Sequence, residues 1–263
     1  MSKEVSDWQL TEQNGGRVEA AATAGATADR LGWRLTLEPK ERGYSNAQLD
    51  DYSFQNGLQF RWTPPTSFQL RARFSGEADT LVGTAGFGFW NAPFGPGTGY
   101  RLRLPRAAWF FYAAESSDLP LAPLDVRGNG WFASTIDASG PGALLWAPFT
   151  LPVLLLNQVR ALRRRLWPMI RRDLRISFEH ISHDMAAWHD YRLSWRSGGT
   201  SFLVDGQPIL QTRVSPGGPL GFVAWIDNQY MVATPRGRVR WGTNVVARKQ
   251  WLEIASIKFD PDA

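Results

Sequence analysis

The sequence predicts an all-β protein, a sandwich of two antiparallel sheets with one amphipathic helical insertion. Three observations favour this class. Short runs of alternating apolar and polar residues recur through most of the 263-residue chain, which is the period-two pattern of half-buried strands. The runs are separated by turns rich in Gly and Pro, of which the chain has 25 and 17. Only residues 139–175 change to a helical period.

The clearest strands lie in residues 188–212. Tyr191 to Trp195 alternate apolar and polar side chains, and Gly198-Gly199 supplies a tight turn. Ser201 to Val204 form a second short strand, and Asp205-Gly206 forms another turn before Pro208, Ile209 and Leu210, so the segment is predicted to be a β-meander. Because these turns contain only a few residues, the strands that they join must be antiparallel neighbours.

Further strands are predicted wherever the same alternation recurs. They are 32–37, 57–62, 67–74, 83–90, 100–104, 107–112, 131–136, 175–178, 221–226, 237–241 and 251–259. Residues 1–30 are weakly patterned, and Ala20 to Ala28 could form a loop or a short edge strand. Residues 39–51 are polar, with a turn at Arg42-Gly43. Large β-sandwiches often run to this length as one domain, so residues 1–263 are predicted to form a single domain.

The composition narrows the class of protein. The chain has no Cys, which excludes disulfides and thiolate metal sites, and its formal charge of +5 is mild. The first ten residues contain no apolar run typical of a secretory signal, so a cytoplasmic protein is expected. No stretch reaches the roughly 18 apolar residues of a membrane-spanning helix. The oligomeric state cannot be read from the sequence.

The stretch 188–206 resembles a known family. Its Trp-His-x-Tyr-x-(aliphatic)-x-Trp strand, Gly turn and Phe-x-Val-Asp-Gly segment resemble the concanavalin A-like lectins and glucanases, most closely glycoside hydrolase family 16. Weaker likenesses follow in the family's order at 67–74, 86–93, 128–135 and 253–259. The resemblance implies a concanavalin A-like jelly roll in which one of the two stacked sheets is concave.

One departure from the family bears on activity. Family 16 enzymes carry Glu-x-Asp-x-(x)-Glu on a strand of the concave sheet, where alternation brings the carboxylates to one face for retaining hydrolysis. The corresponding strand here, 106–115, has no such trio. Glu77 and Asp79 have a two-residue spacing but read as a loop, and Glu115 and Asp118 follow the strand. Glycosidase activity is therefore not expected.

The three histidines are the first candidates for chemistry. His180, His183 and His189 fall within ten residues, and Asp184 follows the His-x-x-His pair. Such a cluster could bind a metal or transfer protons. Because strand geometry would point His180 and His183 apart, no metal or other cofactor is predicted. Both histidines, with Asp184 and Glu115, are the acid–base candidates.

A second group of candidates could bind a ligand. Aromatic rings near the concave sheet could stack on a sugar or another flat ligand, or could belong to the core, and neighbouring polar groups could read hydroxyls or cap turns. The candidates are Trp90, Asn91, Trp109, Trp131, Trp225, Asp227, Asn228 and Tyr230.

The insertion 139–175 is the most unusual segment. Leu155, Val159, Leu162, Leu166 and Ile170 recur at helical spacing, and most arginines lie off that stripe. A basic amphipathic helix from Pro152 to Arg172 fits an anionic membrane surface, or a lid packed on the sandwich. Pro168 is predicted to kink or end the helix. Because the arginines are local and no recognisable module accompanies them, nucleic acid is not expected as a partner.

Two functions remain open from the sequence. One is a binding protein that holds a glycan or glycosylated ligand in an aromatic groove without the glycosidase carboxylates. The other is a cytoplasmic or membrane-associated enzyme that uses the groove for acid–base chemistry on an apolar small molecule, such as cyclisation, isomerisation or elimination. Exposed Trp faces along an open groove would favour the first, and a closed apolar pocket roofed by the insertion would favour the second.

Overall fold

The structure, a computed structural model, describes residues 8–21, 32–53, 58–77, 79–93 and 103–261. Two large antiparallel sheets pack face to face, and three short helices interrupt them. The predicted all-β sandwich is confirmed. None of the helices within the described ranges is long and apolar enough to span a bilayer.

The front sheet is the layer that carries most of the candidate residues. Its strands, in spatial order, are β1 (Gln9–Gln13), β4 (Asn46–Asp50), β13 (Gly221–Asp227), β6 (Thr84–Trp90), β7 (Arg106–Ala113), β8 (Gly130–Asp137) and β9 (Ser177–His180). All pairings between these neighbours are antiparallel.

The back sheet is the second layer. Its strands, in spatial order, are β12 (Gln207–Thr212), β11 (Gly199–Val204), β10 (His189–Arg196), β5 (Thr66–Phe74), β16 (Gln250–Asp260), β3 (Gly32–Leu37) and β2 (Gly16–Ala21). A separate hairpin joins β14 (Gln229–Ala233) to β15 (Val239–Thr243).

The main core lies between the two layers and is largely aromatic. Phe87 of β6 and Phe110 of β7 meet Tyr191 of β10 with ring centroids 5.0 and 5.2 Å apart. Trp131 of β8 stacks on Phe110 and is almost fully buried. Each such ring removes a large apolar area from water, so these contacts between the sheets stabilise the sandwich.

Three helices fill the segment between β8 and β9. They are α1 (Pro141–Trp146), α2 (Thr150–Leu156) and α3 (Arg160–Asp173), with a 3-10 turn at Ala147–Phe149. The single helix predicted from Pro152 to Arg172 is therefore broken, because Val159 is extended. Helix α3 does not end at Pro168 but continues to Asp173.

Two predicted strands are absent or untested. Residues 58–62 form no strand and make only isolated bridges, at Gln59 and Trp62. A strand is also predicted at 100–104. Residues 100–102 lie outside the described ranges, and residues 103–104 belong to no strand. The sequence also missed β1, β2, β4 and β14, which lie at the edges or, like β4, carry polar residues on one face.

Candidate functional site

The outer face of the front sheet, which points away from the back sheet, carries a second aromatic cluster. Trp109 and Phe111 of β7 share this face with Trp225 of β13 and Phe132 of β8. The ring centroids of Trp109 and Trp225 are 5.9 Å apart, and those of Phe111 and Phe132 are 5.4 Å apart. Because both faces of β7 are apolar, its sequence reads as a continuous apolar run.

Two glycines of β6 make room for these rings. Gly86 pairs with Trp225 and Phe111, and Gly88 pairs with Trp109. A methyl group on Gly88 would lie 2.5 Å from the Ala108 carbonyl oxygen and from the Trp109 backbone. The alternating glycines therefore let large side chains of the neighbouring strands lie directly over β6.

These rings do not form an open groove. Trp109, Phe111 and Trp225 are each only 8% exposed. Side chains from loops and from the segment after α3 pack over them: Tyr52, Leu58, Phe60, Leu119, Leu121, Leu174 and Ile176. The exposed Trp faces that would favour a glycan groove are therefore not found at Trp109 and Trp225.

The polar atoms of the outer face are mostly used within the protein. The indole N–H of Trp225 donates to Thr84 Oγ1 at 3.0 Å, and that of Trp90, whose ring is partly exposed, donates to the Tyr52 hydroxyl. The indole N–H of Trp109 is buried and has no hydrogen-bond partner among the groups described. It is thus an unsatisfied donor at the centre of the face.

Asp227 lies buried at the end of β13. Its Oδ1 accepts hydrogen bonds from the Thr84 hydroxyl at 2.9 Å and from the backbone N–H groups of Thr84 and Gln229. Burial outweighs these bonds and raises the pKa of Asp227 to about 6. The hydrogen-bonding groups of the Asn228 side chain are also used within the protein. Its Nδ2 donates to the carbonyls of Gly43 and Asn244, and its Oδ1 accepts from the Ser45 N–H. Asn228 therefore joins loops, and we assign it no ligand.

Two other predicted binding residues lie elsewhere. Trp131 could stack on a ligand or belong to the core, and alternation along β8 turns it into the core between the sheets, where it meets Phe74 and Tyr191. Tyr230 belongs to β14 of the separate hairpin and packs against Gly242. Neither residue contributes to the outer face of the front sheet.

The acid–base candidates do not converge. His180 ends β9, where its ring lies 4.8 Å from that of Phe178. His183 instead faces His189, 5.3 Å away. His189 bonds Asp205 through Nδ1 at 2.6 Å and the Asp184 carbonyl through Nε2 at 2.9 Å.

The two acidic candidates are equally dispersed. The Asp184 carboxylate accepts the Ala186 N–H and so closes a turn. Glu115 is exposed beyond the end of β7 and lies 3.5 Å from Arg127. Among the described residues, no group of three His, Cys, Asp or Glu is arranged to hold a metal. The four candidates therefore do not form a catalytic centre.

A cavity of about 650 Å³ lies at the end of the front sheet where β6 finishes and β7 begins. We call it the end cavity. The described residues that line it are Leu58, Gln59, Phe60, Asn91, Arg103, Leu104, Arg106, Ser139, Leu144 and Pro219. Of the predicted binding residues, only Asn91 is among them. Leu144 belongs to α1, so the insertion contributes one wall of the cavity.

The cationic side of the end cavity is held in place by backbone groups. Arg106 Nη1 donates to the carbonyls of Gly217 and Gly218 at 2.9 and 3.1 Å, and its backbone N–H donates to Asn91 Oδ1. The Arg103 guanidinium lies 5.6 Å from the centre of the Phe60 ring. None of the described lining residues is acidic. The cavity therefore combines fixed positive charge with apolar walls.

Comparison with known proteins gives likenesses of structure but no family assignment. No protein-family model and no curated protein matches the sequence. The carbohydrate recognition domain of Emp47p is similar in structure, with a TM-score of 0.47 at 14% identity over 97% of this chain and 88% of that one.

Two further solved structures have comparable similarity. A GlcNAcα1-4Gal-releasing endo-β-galactosidase from Clostridium perfringens has a TM-score of 0.49 at 11% identity, over 99% of this chain and 60% of that one. Rv0315 of Mycobacterium tuberculosis, described as a pseudo β-1,3-glucanase, has a TM-score of 0.46 at 12% identity, over 98% and 92%. At these levels of similarity, no ligand or reaction transfers to this chain.

Proposed function

We propose that the chain is a binding protein for a small organic anion with an apolar body, which it holds in the end cavity. The observation that carries this proposal is the composition of the cavity wall. A volume of about 650 Å³ falls within the range usual for small-molecule sites, which are mostly apolar with a few fixed polar groups. Such a site favours a ligand that is amphipathic rather than uniformly polar.

The arginines would select the charge of the ligand. Arg106 is anchored by the Gly217 and Gly218 carbonyls, so little side-chain entropy remains to be lost when it binds an anion. Arg103, beside the Phe60 ring, presents a second guanidinium. A guanidinium pairs with a carboxylate or phosphate through two parallel hydrogen bonds, which supports an acidic head group.

The remaining wall would hold the apolar body. Phe60 and Leu104 line the cavity from the loops, and Leu144 lines it from α1. Apolar surface that the ligand and these side chains remove from water favours the complex by roughly 25 cal/mol for each Å² buried. Since Leu144 belongs to the insertion, the insertion would help to define which ligands fit.

A glycan is the second candidate, and one observation supports it. Gln59 and Ser139 line the same cavity and could bond hydroxyl groups, whereas the buried Asn91 amide is already bonded to the backbone of Leu104 and Arg106. The partly exposed Trp90 precedes Asn91 directly. This candidate agrees with a scaffold derived from glycoside hydrolase family 16 that has lost its acids. In that interpretation, the outward residues of β7 would be Ala107, Trp109, Phe111 and Ala113, where hydrolysis needs carboxylates.

Acid–base catalysis is the weaker proposal. Glu115, His180, His183 and Asp184 are dispersed, and none of them lines the end cavity. General acid–base catalysis needs the proton-transferring groups within hydrogen-bond reach of one substrate. The arrangement of the described residues therefore favours binding over catalysis.

The test is isothermal titration of the purified protein with decanoate below its micellar concentration, with decanol and with neutral cello-oligosaccharides. We expect decanoate to bind at one site per chain and decanol to bind at least tenfold more weakly, because it lacks the anion. Arg103→Gln is expected to weaken decanoate binding about tenfold, the loss of one charge-assisted hydrogen bond.

The matched control is Arg192→Gln, on the exposed outer face of the back sheet. This control should bind decanoate like the wild type. If the oligosaccharide bound saturably and decanoate did not bind, the ligand would be a glycan and the organic-anion proposal would be wrong. Equal effects of Arg103→Gln and Arg192→Gln would contradict the assignment to the end cavity.

A further inference from the structure

The insertion exposes an unusual number of large apolar side chains. Leu145 is 71% exposed and Leu151 is 68% exposed. The further exposed residues of the insertion are Leu144, Phe149, Leu155, Leu156, Val159, Leu162 and Met169. We call this set the insertion face. Large apolar side chains exposed this densely within one segment indicate an interaction surface.

The helical stripe predicted from the sequence is only partly buried. Ile170 faces the protein, whereas Leu155, Val159 and Leu162 of the same stripe face solvent. Arg163 takes the inward position and donates through Nη1 to the Asn157 carbonyl at 2.7 Å. The insertion is therefore not simply a lid that buries its apolar stripe on the sandwich.

The β14–β15 hairpin carries further exposed apolar side chains. Trp241 is 71% exposed, and Met231 and Val239 are exposed on the same side of the hairpin. The hairpin tip is fixed to the insertion, because the Asn157 amide donates to the Pro235 carbonyl and Gln158 donates to the Arg236 carbonyl, both at 2.9 Å. The insertion and the hairpin therefore present their apolar side chains from one joined structure.

Both parts of this structure are strongly basic. Residues 141–173 contain six arginines and a single acid, Asp173, and residues 229–243 contain three arginines and no acid. Among the ion pairs between described residues, only Arg172–Asp173 involves these arginines. Asp118 and Asp125 lie in one pocket with Arg163, Arg236 and Arg238 and offset part of this charge. The other exposed arginines of these parts that form no ion pair with a described residue are Arg160, Arg164, Arg165 and Arg240.

We propose that the insertion face and the β14–β15 hairpin dock the protein peripherally on an anionic lipid bilayer. Leu, Phe and Trp side chains enter the boundary of the acyl chains, and the neighbouring arginines meet the lipid phosphates. Trp241 suits the interface because its ring is amphipathic.

The charge argues against two other occupants. In a two-fold dimer through the same surface, each set of arginines would face its own copy, and like charges would repel. A nucleic acid would satisfy the arginines but would leave the leucines exposed to water. An anionic bilayer satisfies both kinds of side chain at once.

The first test is flotation of the full-length protein with vesicles of phosphatidylcholine alone or of phosphatidylcholine with 30% phosphatidylglycerol. We expect flotation with the anionic vesicles and little with the neutral ones. A Leu151→Asp/Leu155→Asp variant should reduce partitioning at least tenfold, because apolar insertion is lost. An Arg160→Gln/Arg164→Gln/Arg165→Gln variant should reduce it on the order of a hundredfold, since each cation contributes about a fivefold factor.

Matched controls change the same residue types elsewhere. Leu10→Asp on β1 and Arg192→Gln on β10 are both exposed and should float like the wild type. Equal flotation with neutral and anionic vesicles, or equal losses in control and surface variants, would overturn the proposal. The proposal would also be overturned if neither protein floated and the wild type formed a dimer that the Leu151→Asp/Leu155→Asp variant did not form.

A second measurement reports insertion into the bilayer directly and leaves most of the exposed apolar side chains unchanged. Because the chain has no Cys, Leu155→Cys and Val239→Cys can each be labelled with a polarity-sensitive nitrobenzoxadiazole dye. We expect a blue shift and a gain of fluorescence when anionic vesicles are added to either labelled protein. A dye at Leu10→Cys should not respond, and an unchanged spectrum at both surface positions would contradict docking.

Discussion

The outer faces of the two sheets carry opposite chemistry, although each sheet has seven strands within the described ranges. On the front sheet, Trp109, Phe111 and Trp225 point outward and are buried beneath loops. On the back sheet, Gln69 and Arg71 of β5 point outward and are exposed to solvent. One sheet is therefore covered on both faces, and the other is covered on one.

Aromatic residues occur on the back face too, but they are held differently. The guanidinium groups of Arg34 and Arg73 both lie over the ring of Trp251 of β16, 4.8 and 5.2 Å from its centre. Both arginines pair with the nearly buried carboxylate of Glu253, at 2.5 and 2.8 Å. On the back face, Trp251 thus belongs to a row of charged surface side chains. On the front face, the Trp rings instead form a second apolar core. Among the described residues, the front face has both the cover and a cavity that a ligand site needs.

Substitution of one Trp on each face should give the largest difference between them. Trp109→Ala removes a ring packed on Trp90, Phe111 and Trp225, and we expect a loss of about 3–5 kcal/mol in the free energy of unfolding. Trp251→Ala, on a partly exposed ring, should cost only about 1 kcal/mol. Urea unfolding of both variants tests this, and equal losses would show that the front face is no second core.

The pH dependence of stability should also distinguish the front face. The pKa of Asp227 rises from 3.8 to about 6 on burial, so the folded protein holds this proton more tightly than the unfolded chain does. The stability that protonation contributes is complete below pH 3.8 and is lost as the pH rises through about 6. The expected loss is about 3 kcal/mol, since each pKa unit corresponds to about 1.36 kcal/mol.

Asp227→Asn provides the measurement, because it keeps the Oδ1 acceptor but removes the titration. The unfolding free energy of the wild type minus that of the variant should fall between about pH 4 and pH 7. A constant difference over this range would mean that Asp227 does not titrate there.

The fold was predictable because alternation is a local signal. Residues 191–195 alternate so clearly that β10 and its neighbours follow from turn lengths alone. β4 could not be recognised, because Asn46, Gln48 and Asp50 make it look like a polar loop. Its Ala47 and Leu49 are nevertheless buried in the core. The segment is a strand because it pairs with β1 on one side and β13 on the other. Such pairing cannot be recognised from the sequence of one segment alone.

The site was less predictable because it depends on which face a side chain takes and on what covers it. Trp131 and Trp109 look alike in sequence, yet one lies between the sheets and the other lies outside them. The end cavity is built from strand ends and loops that are distant in sequence, such as Phe60, Arg106 and Leu144. No local pattern brings these residues together. Of the described lining residues, the sequence pointed only to Asn91, which follows β6 directly.

Two glycine substitutions provide the smallest and sharpest comparison. Gly88 lies on the front sheet beneath Trp109, and Gly198 lies in the β10–β11 turn. Neither has a φ that only glycine tolerates, so the two positions differ in space alone. A methyl group on Gly88 would meet backbone atoms of Ala108 and Trp109 at 2.5 Å, whereas nothing lies within 4 Å of one on Gly198.

Gly88→Ala should therefore lower the free energy of unfolding by about 1–3 kcal/mol, because the backbone of β7 must move away from β6. Gly198→Ala should change it by less than about 0.5 kcal/mol. Urea unfolding at neutral pH measures both, and near-ultraviolet circular dichroism reports whether Trp109 is displaced. If Gly88→Ala were as stable as the wild type, the rings over β6 would be loosely packed, and the outer face could open to a ligand along its whole length.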